Sequence, residues 1–268
     1  MSYLCRLPRL WVSKAMLEKR IHIRFWLPVI TIIYSFILNS CIGSSPIGKI
    51  SERDAAILRE FITLNNLIGQ IPESIAQVDE NSEVRSITIT NLQIDTLRIS
   101  PRLKELAFLK AIILRNNKLQ YIAPELSELA SLTLLNISEN IFKAIPQSIL
   151  LLKNLEALYI YNNKRPMVVP NSIGNLANLT ELKLFGDSIA SLPPTIGSLT
   201  NLKHLHLHNN VLTNLPDEII KLQNLRLPTN GVGFVKLDGN RLCNLSDSIK
   251  SWAQKYDPNW AAQICDEL

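Results

Sequence analysis

Residues Leu202 to Leu222, LKHLHLHNNVLTNLPDEIIKL, decide how the rest of the chain is read. Their apolar positions, Leu202, Leu205, Leu207, Leu212, Leu215, Ile219 and Leu222, keep neither the period of a strand nor that of a helix. Leu205 and Leu207 alternate as on a short strand, and Asn210 stands at a bend, where its amide can bond open backbone groups. Leu215-Pro216 then starts a return segment. Such a coil cannot bury its apolar side alone and requires neighbours of the same kind.

The neighbours are present. Aligned on Asn210, the preceding copy has Leu179, Leu182, Leu184, Asp187, Ile189, Leu192-Pro193, Ile196 and Leu199. Earlier copies start at Leu155, Leu132 and Leu109, with bend residues Asn163, Asn140 and Asn117. A degenerate first copy starts at Val84 with Leu92 at the bend, and a last one runs from Val232 through Asn240 to Ile249. The starts Leu109, Leu132, Leu155, Leu179 and Leu202 are 23, 23, 24 and 23 residues apart.

This pattern resembles the leucine-rich repeat family in the form LxxLxLxxNxLxxLPxxIxxL, over residues 84–252. The resemblance implies an α/β solenoid: a horseshoe of about seven repeats plus end caps, with a parallel sheet on the concave face and short helical or irregular segments outside. It says little about function. The departures are Leu92 and Asp187 at the bend, one extra residue within Lys164 to Val168, and an insertion at Arg226 to Gly231 with turn chemistry in Pro-Thr-Asn-Gly.

Ahead of the repeats, residues 1–24 hold six basic residues and one acid, and Phe25 to Leu38 is apolar without a charge. Leu38-Asn39-Ser40-Cys41 closes it. Residues 1–40 therefore read as an export signal, with Met1 or Met16 as the start. The closing LNSC resembles the bacterial lipobox, which implies lipidation at Cys41. An uncleaved transmembrane anchor is the alternative, since Phe25 to Ile42 approaches the length of a span. Both readings place the repeats outside the cytoplasm, membrane-anchored in a bacterial cell envelope, at the outer membrane or cell surface.

Removing residues 1–40 leaves 22 basic and 22 acidic residues, so the net charge of +5 belongs to the signal. Nucleic acid loses its main support as a partner. Of the four cysteines, Cys5 leaves with the signal and Cys41 would carry the lipid, so Cys243 and Cys265 remain to pair, and in an exported protein a disulfide between them is the simplest assignment. Residues 41–50 read as a tether. Residues 51–83 read as an N-terminal helical cap, with Ser51 as N-cap and Ala55, Leu58, Phe61 and Ile62 on one face. Residues 253–268 read as a C-terminal cap.

On each strand, the residue between the two buried positions and its neighbours two away face the concavity. That places Tyr159, Tyr161, Lys183, Phe185, His204, His206, His208, Phe234, Lys236 and Asp238 on one surface. Clustered aromatics among mixed charges mark a binding surface, for a protein or a polysaccharide. His204, His206 and His208 also suggest zinc, with Glu181 and Asp238 completing the ligand set, or a surface switched by pH. A zinc hydrolase is the remote catalytic alternative. The chain carries no Gly-rich phosphate loop, HExxH or GxSxG, so the expectation is a binding protein without enzymatic activity or a required cofactor.

Overall fold

Each coil turns at its asparagine because that side chain satisfies backbone groups that neither strand nor helix covers. In the computed structural model, which describes residues 49–163, 165–229 and 233–265, Asn140 shows the arrangement. Its Nδ2 points at the carbonyls of Leu114 in the preceding coil (3.0 Å) and Ile137 in its own (2.9 Å). Its Oδ1 accepts from the Leu119 amide at 3.0 Å. Asn117, Asn210 and Asn240 repeat these bonds. The residue before each bend is left-handed: Asn91, Asn116, Glu139, Asn162, Gly186, Asn209 and Gly239 have φ between 55° and 70°. At Gly186 φ is 70°, the left-handed region that favours glycine, and an added Cβ would also displace the Asn162 side-chain amide.

Between bends run short strands. After helix α1 (Glu52–Leu64) and the short α2 (Pro72–Ile75), the strands are β1 (Ala76–Val78), β2 (Val84–Thr88), β3 (Thr96–Leu97), β4 (Ala111–Ile113), β5 (Tyr121–Ile122) and β6 (Leu134–Asn136). Then come β7 (Ala157–Tyr159), β8 (Glu181–Lys183), β9 (His204–His206) and β10 (Val235–Lys236), followed by helix α3 (Asp247–Tyr256). Eight of them form one sheet in the order β1-β2-β4-β6-β7-β8-β9-β10. From β2 onward the pairing is parallel with equivalent residues in register: Leu158 opposite Leu182, Leu182 opposite Leu205, Leu205 opposite Val235. The chain returns through 3₁₀ segments such as Pro124–Glu128, Pro194–Ser198 and Asp217–Lys221. The leucine and isoleucine columns close between these layers, with Leu135, Leu158, Leu182 and Leu205 fully buried. This is the expected leucine-rich-repeat solenoid.

The ends show what the repeat pattern does not contain. Ser51 Oγ accepts from the Asp54 amide (3.1 Å), and α1 buries Ala55, Ile57, Leu58 and Phe61. The N-terminal cap is not helical throughout, because β1 pairs antiparallel with β2 and covers the sheet edge. The connection forces this direction: Asp79 Oδ1 accepts from the amides of Asn81 and Glu83, a tight turn that joins only antiparallel strands. At the other end α3 starts inside the last repeat and buries Ile249, Trp252, Ala253 and Tyr256. Asp257 Oδ2 accepts from the Leu237 amide (2.7 Å), and the Ala262 carbonyl accepts from the Gly239 amide (2.8 Å), so the β10 edge is closed too. Cys243 and Cys265 form the disulfide, their Cα atoms 6.1 Å apart.

The signal (1–40), Cys41 with most of the tether, and Val232 with the Asn230-Gly231 turn lie outside the described residues. Among the described residues, no helix is long and apolar enough to cross a membrane.

Candidate binding surface

The parallel register stacks equivalent residues of successive coils into columns across the sheet. Glu181 lies opposite Ala157 and His204; Lys183 lies opposite Tyr159 and His206; His206 lies opposite Lys236. Parallel strands are about 4.8 Å apart, close to the spacing at which flat rings stack, so aromatics in one column meet face to face. Tyr161 and Phe185 do so at 4.3 Å between ring centroids and 11° between planes. Phe185 and His208 continue the row at 4.3 Å and 16°. His204 tilts against Phe234 at 4.9 Å, and His206 meets His208 edge-on at 5.9 Å.

Charges are threaded through the rings. Lys183 Nζ sits 4.4 Å above the Tyr159 ring, and the Arg226 guanidinium lies 5.6 Å from the Phe234 ring. The insertion thus brings an arginine to the surface that the repeat columns alone did not reveal. Tyr159 donates its hydroxyl to Glu181 Oε2 (2.7 Å), Lys183 Nζ donates to Glu181 Oε1 (2.8 Å), and His204 Nδ1 stands 3.6 Å from the same oxygen. Burial alone would raise the Glu181 carboxyl. The His204 ring, the Lys183 charge and the Tyr159 hydroxyl outweigh it and bring the group down to about 2. Burial, with the Glu181 charge beside it, pushes the Tyr159 phenol up.

Two expectations are corrected by this geometry. Among the described residues, no group of three His, Cys, Asp or Glu side chains is placed to hold a metal ion. His204, His206, His208, Glu181 and Asp238 share a face without converging. The His206 and His208 rings meet edge-on with centroids 5.9 Å apart, His208 is turned into the stack on Phe185, and both Glu181 oxygens are occupied. The zinc reading, and the hydrolase that would need it, lose their ligand set. The pH reading changes as well. Burial, reinforced by Lys183, His208 and Lys236, lowers His206 to about 3, and burial lowers His208. His206 is therefore neutral across the physiological range, and His208 is shifted in the same direction.

Comparison with known proteins gives the class. The family described as "Leucine-rich repeat region" matches residues 74–191, and that described as "Leucine Rich Repeat" matches residues 201–230, together more than half of the chain. The chain belongs to the leucine-rich repeat family. Among solved structures it is similar to a pollen receptor kinase 3, at 26% identity and TM-score 0.50 over 66% of this chain and 85% of that one. It also matches a leucine-rich repeat protein of Leptospira interrogans (24% identity, TM-score 0.35, 68% of this chain and 59% of that one). A third match is the ectodomain of the Arabidopsis thaliana receptor kinase GASSHO1/SCHENGEN3, in complex with CASPARIAN STRIP INTEGRITY FACTOR 2 (25% identity, TM-score 0.48, 74% and 24%). The chain therefore spans little more than half of the Leptospira protein and about a quarter of the Arabidopsis ectodomain. A comparison with curated proteins found no match.

Proposed function

We propose that this chain is an exported, membrane-anchored binding protein that recognises another polypeptide on the C-terminal half of its concave sheet. The observation that carries the reading is the row Tyr161, Phe185 and His208, three rings stacked 4.3 Å apart on an otherwise open strand surface. Half-exposed rings held rigid by one another lose little entropy on binding and exclude water around Lys183, Lys236 and Arg226. The membership in a family of repeat scaffolds supports a binding role over catalysis.

The ring geometry favours polypeptide over polysaccharide. A sugar stacks on the face of an aromatic ring, and both faces of Phe185 are covered by its neighbours. Phe185 therefore offers its ring edge, which suits aliphatic and aromatic side chains. The anchor belongs to the same proposal, with lipid on Cys41 holding the repeats at the outer side of an envelope membrane.

The test is affinity capture from envelope and secreted extracts on the wild-type protein and on Phe185→Ala. A protease-sensitive partner retained only by the wild type is the expected result. Retention that survives protease and vanishes with glycosidases would replace the polypeptide by a glycan. Cys41→Ala should abolish lipid labelling; labelling that persists elsewhere would remove the lipoprotein anchor.

A further inference from the structure

Two bends lack the ladder asparagine, and both carry a second left-handed residue directly after them: Gln93 (φ 59°) follows Leu92 and Ser188 (φ 51°) follows Asp187. At Leu92 an apolar residue has simply replaced the amide. At Asp187 an acid has been buried in its place, with no exposure to solvent. Asp187 Oδ1 accepts from the Asn163 amide at 2.6 Å and from Asn163 Nδ2 at 3.3 Å, while Oδ2 has no partner. Asn163 Oδ1 still accepts from the Phe142 amide at 3.4 Å, but its Nδ2 goes to Asp187 and not to the carbonyl that its counterparts Asn140 and Asn210 bond three residues upstream, at Ile137 and Leu207. That carbonyl is Ile160 O. By the same pattern it is also the preceding-coil acceptor that Asp187 would serve if its side chain carried a hydrogen. Among the described residues, neither rung reaches it.

Asp187 Oδ2 is therefore buried without a hydrogen-bond partner, at the rung position where an asparagine would present its amide hydrogens. We propose that Asp187 is a proton-gated rung of the ladder. Protonated, its hydroxyl takes the place of the asparagine amide toward the Ile160 carbonyl; ionised, having lost the proton to water, it loosens the bend that holds Phe185. The gate acts on the ring row, and so rests on the reading of that row as the contact surface. Phe185 is two residues from Asp187, and His208, its stacking partner, precedes the next bend, whose Asn210 Oδ1 accepts from the Asp187 amide at 3.0 Å. The turn after Asn163 is tied to the same rung, with the Met167 amide donating to the Asp187 carbonyl at 3.1 Å.

The titratable or charged residues on the segments packed against the carboxyl are Tyr161 in the preceding bend, Arg165 in the adjacent turn and His208 in the following coil; Lys164 lies outside the described residues. Asp187 makes no ion pair among the described residues. Burial raises its carboxyl to about 7, against the lowering effect of the two Asn163 bonds. The native state therefore binds the proton more tightly than the unfolded chain, and stability falls as pH rises from about 4 to about 7. This sign is opposite to that of Glu181 and His206.

The experiment compares the full chain with Asp187→Asn, which restores the common ladder residue. Thermal unfolding across pH 4.5 to 8.5 should show the variant close to wild type at the acid end and more stable by a few degrees at the alkaline end, on the order of 2–4 °C. The Phe185 ring resonances should move with a midpoint near neutrality in the wild type and stay still in the variant. A thermal gap that does not change with pH would overturn the proposal. So would a gap that opens while the Phe185 ring does not respond. A partner that binds Tyr161→Ala as tightly as wild type would instead sink the contact-surface reading and leave the Asp187 measurements standing.

Discussion

The two halves of the concave sheet have one backbone and two surfaces. In the N-terminal half, β2, β4 and β6 expose small, aliphatic or polar residues such as Ile113, Leu134 and Asn136, and their polar groups satisfy one another. Ser138 Oγ donates to Asn136 Oδ1 at 2.6 Å, and Arg115 pairs with Glu139 at 2.8 Å. In the C-terminal half, β7 to β10 carry the stacked rings, the half-buried Glu181 and the cations lying over aromatic faces. Register and core leucines are equivalent in both. The repeat therefore sets where side chains stand, and the variable positions set what a partner meets.

The largest effect tests the shared backbone. Leu135 and Leu182 are both fully buried at equivalent strand positions. Leu135→Ala and Leu182→Ala should each cost about 2–5 kcal/mol in denaturant unfolding, from lost burial plus the cavity left behind. A much smaller loss in one half would show that the solenoid does not unfold as one unit, and the comparison would become one between two domains.

Next comes acid. Glu181 is depressed to about 2 by His204, Lys183 and Tyr159, so its contribution is complete above the unfolded carboxylate value near 4.5 and is lost as pH falls toward 2. With a side chain only 13% exposed, Glu181→Gln should remove on the order of 2 kcal/mol at neutral pH and narrow the difference from wild type near pH 2. Equal destabilisation at both pH values would mean that packing, and not charge, holds this corner together.

Third is the ring row. Phe185→Ala should weaken partner binding at least about tenfold while lowering stability by less than about 1.5 kcal/mol, since the ring lies on the sheet and not in the core. Ile113→Ala, its control in the N-terminal half, should leave affinity unchanged in the same titration. A matching loss at Ile113 would extend the surface over the whole sheet.

The fold was legible because each buried position recurs: Leu135, Leu158, Leu182 and Leu205 announce one another. The concave residues followed from alternation along the same strands. What repeats only once was not legible. The antiparallel β1 depends on a turn at Asp79 that no other coil has, and Arg226 reaches Phe234 from an insertion. Side-chain direction was also hidden. Three histidines in HLHLH suggest a metal as readily as a stack, and only their neighbours decide, because Phe185 offers His208 a ring face and Lys183 already holds Glu181.

The smallest expected effect is the one that separates the two kinds of pH response. A solvent-exposed histidine titrates near 6.5, but His206 is half-buried beside Lys183 and Lys236 and takes its proton only near pH 3. Its folded value lies below its unfolded one, so it leaves stability unchanged above about 6.5 and weakens the fold progressively from there toward pH 3. Its ring proton resonances should therefore be flat from pH 8 down to about 5. A midpoint near 6 would mean that the ring is better solvated than its column implies. The C-terminal half would then answer to mild acid through His206 as well as to mild alkali through Asp187.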